Sequence, residues 1–525
     1  MSKQPIIKYP IGEQSFELLR KEGYLYVDKT PYIEKIITGS KYYFLGRPRR
    51  FGKSLFLDTL RCFFEGKREL FRGLYADTMD WDWQEYPVLH LDLNTLKYNS
   101  LQELDSLLDL QMSKWERQYG VHTDQTIHSL RFGELLRLIS EKTGQTIVIL
   151  VDEYDKPLVN NIHDMELFNK FRDTLAALYS NFKSGAPYIR LVFLTGVSRF
   201  SKLSVFSDLN NIRDISMQNM FAGICGISEE ELLKNFKIGI KELADYNGKT
   251  EEATIVELKR RYDGYHFSRV CPDIYNPFSL LNVFAANEYA NYWIASGTPS
   301  LLVQQLKRTR MDLNRLVSVE AGESGLSGLD IDNIRPVALL YQSGYLTIKG
   351  YDSKYELYHL GLPNAEVEEG FLQYLLPYYA DLHHEESMVF ISNFRREMSE
   401  GRVDDFMRRL KSLFSDTSYE MKMDEERNVQ NALFILFRLI GLSVDVEYRT
   451  SDGRIDILVR TDRYVYIMEL KYDHSAEEAL DQIKRKEYAL PWSVDTRLTI
   501  AIGINYSTTR RTIDSWMTSR ITCRG

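Results

Sequence analysis

The chain has 525 residues, a formal net charge of −8, 27% charged and 44% hydrophobic residues. That length predicts two or three domains, each large enough to bury a core, and the charge excludes a globally basic nucleic-acid binder but not a local basic groove. Cys62, Cys225, Cys271 and Cys523 form no CxxC pair and no apolar run reaches membrane-spanning length, so a zinc site, a disulfide framework and membrane contact are not expected, and the chain reads as cytoplasmic.

In chain order, the first apolar run, Tyr42–Leu45, leads directly into Gly46-Arg47-Pro48-Arg49-Arg50-Phe51-Gly52-Lys53-Ser54. Gly52-Lys53-Ser54 is the back half of a P-loop. Gly52 lets the backbone approach phosphate, Lys53 reaches the β/γ oxygens, and the Ser54 hydroxyl can ligate Mg²⁺. Arg50, Phe51, Gly52, Lys53, Ser54 and Leu55 are therefore the expected ATP-contacting positions, with a helix over 54–64. The spacing is irregular, because the first glycine is expected where Arg47 stands. The plain alternative is a basic surface turn before a helix.

Further short apolar runs follow at Val88–Leu93, Ile147–Val151 and Ile189–Thr195, separated by helical patterns. That alternation predicts a parallel sheet covered on both faces. Ile147–Val151 ends in Asp152-Glu153, as a Walker B strand does. Such a strand delivers Asp152 to the sheet's ligand-binding edge, where it can hold Mg²⁺, and places Glu153 to activate water. The alternative is that the acids merely cap the next helix. After Ile189–Thr195, Thr195 and Ser198 are candidate γ-phosphate sensors and Arg199 a candidate for neutralising transition-state charge. A strand between the two Walker strands marks the catalytic-glutamate class of P-loop ATPases, and either Val88–Leu93 or Ile189–Thr195 can fill that place.

Residues 227–320 read as mostly helical, with runs at Glu229–Tyr246 and Pro277–Tyr289. A helix ending at Gly344 and two strand-like runs, Tyr345–Ile348 and Tyr355–Tyr358, then outline a winged helix, read as scaffold rather than a DNA-contacting wing. The helical region 376–420 leads into a final α/β segment.

In that segment Val444–Arg449, Arg454–Arg460 and Tyr464–Tyr472 read as strands. Asp456 lies in the second, and Glu469 and Lys471 share one face of the third. This is the spacing of a PD-(D/E)XK nuclease core, in which two carboxylates ligate Mg²⁺ and Lys471 positions water or offsets negative charge. Glu426, opening the helical run Glu426–Ile440, is a further candidate metal ligand, with Gln430 one turn later. Gln482 and Lys486 share a face of the next helix, predicted over Ala476–Tyr488. A simple strand ion pair is the alternative for Glu469 and Lys471.

Several strings occur in an order that resembles the bacterial AAA-ATPase-like family, whose members are often fused to a PD-(D/E)XK domain. They are Ile11-Gly12-Glu13-Gln14-Ser15-Phe16, Tyr24-Leu25-Tyr26-Val27-Asp28-Lys29-Thr30, Arg47 to Ser54, Asp152-Glu153-Tyr154-Asp155-Lys156-Pro157, Thr195 to Phe200, Tyr262-Asp263-Gly264-Tyr265 and Tyr275-Asn276-Pro277. Through that resemblance the displaced glycine becomes a family trait. The reading is thus an α/β chain with a P-loop ATPase core at 1–225, a helical lid at 226–325, a winged-helix-like and helical connector at 326–420, and a restriction-endonuclease-like domain at 421–525. ATP and Mg²⁺ are the expected cofactors. Nucleic acid is the expected partner, DNA ahead of RNA, with homo-oligomerisation left open. The rival function is a nucleotide-switched module that binds nucleic acid or protein without cutting, including a defence or stress signalling ATPase.

Overall fold

The computed structural model describes residues 7–198, 211–296, 300–309, 311–313, 316, 318–326, 335–380, 384–415, 426–440, 443–450, 453–492 and 495–521. The chain forms two compact units, Met1–Thr298 with Ser318–Glu366, and Pro299–Val317 with Val367–Gly525. Residues 326–420, read above as one connector, fall on both sides of that division.

The first unit is built on a parallel sheet of β1 (Tyr42–Gly46), β2 (Val88–Asp92), β3 (Ile147–Asp152), β4 (Ile189–Gly196) and β5 (Arg213–Asp214), in the order β2-β3-β4-β1-β5. β3 is buried along its whole length, as expected for a central strand with both faces covered. β4, not β2, lies between the P-loop strand and the Walker B strand. Register aligns Gly46 with Gly196 and Asp92 with Asp152, so the strands end at a common edge.

β6 (Ile227–Ser228) and β7 (Ile274–Tyr275) then pair antiparallel and frame a helical cluster. The predicted single helix over 229–246 is two, Glu229–Asn235 and Lys237–Tyr246. The break falls at Phe236, whose backbone leaves helical geometry while its ring packs with Leu232, Ile240 and Phe284. The run predicted to reach Tyr289 ends at Ala286, where Asn287 turns into the left-handed region at φ +55°. β8 (Val319–Ala321), before the helix Pro336–Ser343, and β9 (Thr347–Asp352) and β10 (Leu357–Gly361), after it, form a three-stranded antiparallel sheet in the order β8-β10-β9. The hairpin turn is residues 353–356, because the first strand runs on to Asp352, past the Ile348 where it was expected to end. Gly350 is an ordinary strand residue opposite His359, while the Asp352 carboxylate accepts from the Lys354 and Tyr355 amides and Glu356 takes the positive φ.

The last residue of this unit, Glu366, is buried and accepts hydrogen bonds from Ser279 Oγ and the Trp293 amide. Burial pushes its carboxyl up to about 7. The folded value lies above the unfolded one, so the destabilisation is absent below about pH 4.5 and builds as pH rises through about 7. Glu366→Gln, which keeps an acceptor for Trp293, is expected to unfold with the wild type near about pH 5 and to be more stable by about 3 kcal/mol near about pH 8. Thermal midpoints at the two pH values check this.

The second unit carries β11 (Ser443–Thr450), β12 (Gly453–Arg460), β13 (Tyr464–Tyr472), β14 (Leu498–Ser507) and β15 (Thr512–Ile521), neighbours in that order, with only β13 and β14 parallel. On one face Leu410 and Phe414 of the helix Val403–Ser415, and Val429 and Leu433 of the helix Glu426–Leu439, meet Met468 and Ile504. On the other, Leu480 and Ile483 of the helix Ala476–Arg485 pack on Ile467. That helix stops short of the predicted Tyr488: Glu487 takes a positive φ and Tyr488 turns into the core. Among the described residues, no helix is long and apolar enough to cross a membrane.

Candidate functional sites

At the end of β1 the chain turns sharply through 47–52 before the helix Lys53–Phe64 begins. Gly52 has φ +94° with open space where a Cβ would point, so a side chain is excluded by backbone strain rather than by crowding. The first amides of the helix face the same opening, an arrangement suited to anions. Lys53 is buried. Its Nζ donates to Arg47 O at 3.1 Å and Pro48 O at 3.3 Å and lies 3.4 Å from Glu153 Oε1. Ser54, half-buried, follows at the helix start.

The Walker B strand brings its acids to this loop. Asp152 is buried and accepts from Thr195 Oγ1 and, at 3.1 Å, from the Glu153 amide. Thr195, expected as a phosphate sensor, is thereby committed to orienting Asp152. Glu153 sits at φ +52°, a strained conformation of the kind held at functional positions. Burial pushes its carboxyl up, but the charges of Lys53 and Arg49 outweigh that and hold it below the usual range, so it is ionised at neutral pH.

Asp155, which the sequence did not single out, is fully buried and receives the Ser198 amide at 2.6 Å and the Val197 amide at 3.2 Å. Burial and the neighbouring Glu153 push it up to about 7. With Tyr154 Oη donating to Ser198 O at 2.9 Å, it locks the loop that follows β4. Ser198 is thus held through its backbone; Arg199 lies outside the described residues.

Two of the expected ATP-contacting residues have their side chains engaged elsewhere. The Phe51 ring is buried against Tyr265 and Phe267, and the Arg50 guanidinium stacks over Phe278 at 4.9 Å, so these residues offer phosphate only their backbone. Leu55 is half-buried one residue into the helix and likewise has only its amide to give. Arg47 explains the displaced glycine. Its backbone needs no positive φ, and its buried guanidinium donates to the carbonyls of Gly46, Ser216 and Phe221. Nothing in the local sequence announces the Ser216 and Phe221 carbonyls, which come from about 170 residues away.

In the second unit, β12 and β13 pair up to Ile457 and Met468, which sets Asp456 and Glu469 side by side just beyond. The Leu470 amide donates to Asp456 Oδ2 at 2.9 Å. Glu469 is 2% exposed; its Oε1 accepts from Gln482 Nε2 and lies 3.5 Å from Lys471 Nζ, while its Oε2 is buried with no hydrogen-bond partner. Burial, and then the charge of Asp456, pushes Glu469 up to about 7. A buried carboxylate oxygen left unpaired beside a second carboxylate is costly unless something cationic completes it. Hard oxygen donors of this kind fit Mg²⁺. Glu426 opens its helix as predicted, but its side chain lies outside what the structure describes. Lys486 is exposed and caps the end of the helix.

Residues 10–206 match the family described as predicted AAA-ATPase, and residues 424–516 match the PD-(D/E)XK nuclease superfamily. The chain is also similar to a protein of Azotobacter chroococcum mcd 1 described as "Uncharacterized protein in vnfD 5'region". The two are 34% identical over 525 residues, covering 96% of this chain and 98% of that one. The chain belongs to the AAA-ATPase-like family and carries a C-terminal PD-(D/E)XK nuclease superfamily domain.

Within the PD-(D/E)XK domain, Gly503 of β14 is in register with Glu469. A Cβ there would run into Ala476 O and meet Leu480 N at 2.5 Å. This close approach seats the helix that carries Gln482. Gly503→Ala is expected to push that helix off the sheet and cost about 3 kcal/mol, measurable by urea unfolding.

Proposed function

We propose that this protein binds and hydrolyses ATP at the P-loop site and that its C-terminal domain is a Mg²⁺-dependent nuclease that cleaves phosphodiester bonds, with DNA the favoured substrate. The observation that carries the nuclease reading is the buried, unpaired Glu469 Oε2 beside Asp456. Asp456 and Glu469 would hold the metal, with Glu426 the third candidate; Mg²⁺ there supplies charge stabilisation at the phosphate and an acidified water. Gln482 fixes the Glu469 carboxylate, and Lys471 stands where it can hold the attacking oxygen or offset charge on the phosphate.

At the ATP site, Ser54 and Asp152 are the Mg²⁺-shell residues and Lys53 is the phosphate cation. Glu153 takes a proton from water as that water attacks the γ-phosphorus. The bond to the β–γ bridging oxygen breaks, ADP leaves, and phosphate carries the water oxygen. The ionised state of Glu153 supports this role. Cys62, Cys225 and Cys271 are free thiols, which supports a reducing, cytoplasmic setting.

Cleavage of duplex DNA, single-stranded DNA and RNA, each with Mg²⁺ or with EDTA and with or without ATP, tests this reading. Mg²⁺-dependent cleavage supports it. Binding of nucleic acid with no cleavage under any of these conditions contradicts it.

A further inference from the structure

We propose that Arg49 is a catalytic residue of the ATP site, its guanidinium meeting the γ-phosphate of bound ATP and stabilising the transition state from within the same chain. The inference rests on the ATPase reading above and goes beyond it. Three arginines stand in the loop, and the fold gives each a different fate. Arg47 is buried and committed to backbone carbonyls. Arg50 takes φ +68°, and its guanidinium is turned onto Phe278. Arg49 is exposed, and among the described residues its guanidinium forms no ion pair or hydrogen bond.

Its backbone is nonetheless held. Trp293 Nε1 donates to Arg49 O at 3.0 Å, so the residue is fixed in place while its side chain stays available. The loop's first half lies against Glu153, because Lys53 Nζ touches Arg47 O, Pro48 O and Glu153 Oε1 together. The Arg49 backbone follows directly on Pro48 O, which Lys53 Nζ touches together with Glu153 Oε1, so the residue starts beside the catalytic carboxylate, and its charge favours the ionised form of Glu153.

A γ-phosphate seated between Lys53 and Glu153 therefore has Arg49 on its flank. As the bond to the bridging oxygen breaks, negative charge builds on that oxygen and persists on the departing phosphoryl oxygens. A planar guanidinium can pair with two such oxygens at once. In this assignment the loop itself supplies the cation, in cis.

The test uses the full chain, with wild type, Arg49→Ala, Arg49→Lys and Lys53→Ala compared for ATP turnover, for fluorescent ATP-analogue binding, and for trapping of ADP with aluminium fluoride. Arg49→Ala is expected to bind nucleotide within about threefold of wild type, to lose roughly 10³-fold in kcat and to lose the trapped complex; Arg49→Lys recovers only part of the rate. Wild-type specific activity is expected to be independent of protein concentration. Wild-type turnover by Arg49→Ala, or specific activity that climbs with concentration, overturns the assignment alone. A wild type that hydrolyses no ATP overturns the ATPase reading and this inference with it.

Discussion

Glu153→Gln is expected to bind ATP at least as tightly as the wild type and to hydrolyse it about 10³-fold more slowly. The structure gives both halves of that expectation. Lys53 Nζ is 3.4 Å from Glu153 Oε1, with both side chains largely buried, so ATP must take Lys53 away from an anion that competes with its own phosphates. The amide removes that competing charge and relieves repulsion at the γ-phosphate. It also removes the ionised carboxylate proposed to take the proton from the attacking water, since Asp152 is tied to Thr195 and Asp155 holds the loop amides. Lys53→Ala makes the opposite pairing, losing affinity first. Equilibrium binding and steady-state turnover separate the two. Equal rates for wild type and Glu153→Gln contradict the role given to this carboxylate.

Asp456→Ala is expected to lower Mg²⁺-dependent cleavage by about 10³-fold or more while leaving ATP binding intact. The loss should exceed that of Lys471→Ala. Removing Asp456 takes away a carboxylate that Glu469 needs beside it to hold a dication, whereas Lys471 supports the site at 3.5 Å from outside. Asp456→Ala also frees the Leu470 amide, so Asp456→Asn, which keeps an acceptor, is the control for a purely structural loss. Cleavage by Asp456→Asn at the wild-type rate contradicts a metal role.

Both sites were legible in the sequence where chemistry follows from residues a few positions apart. Gly52-Lys53-Ser54, Asp152-Glu153, and Glu469 with Lys471 each lie on one turn or one strand end, and local periodicity places them. What the sequence hid is whatever is set by partners far along the chain. The place of β4 between β1 and β3 is the strand order expected of the catalytic-glutamate class, yet either of two strands fitted the pattern. Arg47 looked like a defect in a phosphate loop because its partners sit at 216–222. Phe51 and Arg50 read as phosphate contacts from spacing alone, and only the aromatic residues at 265–278 show where their side chains go. Element ends shifted where one residue preferred the core or a positive φ to the local periodicity, as at Phe236 and Tyr488.

The measurement that bears most directly on the proposal of two separate phosphate chemistries is a crossed assay of Asp456→Ala and the wild type, with cleavage and ATP turnover read in the same reactions. The account predicts Mg²⁺-dependent cleavage by the wild type, its loss in Asp456→Ala, and equal ATP turnover by both. Cleavage that persists in Asp456→Ala, or that is unaffected by EDTA in the wild type, would contradict it.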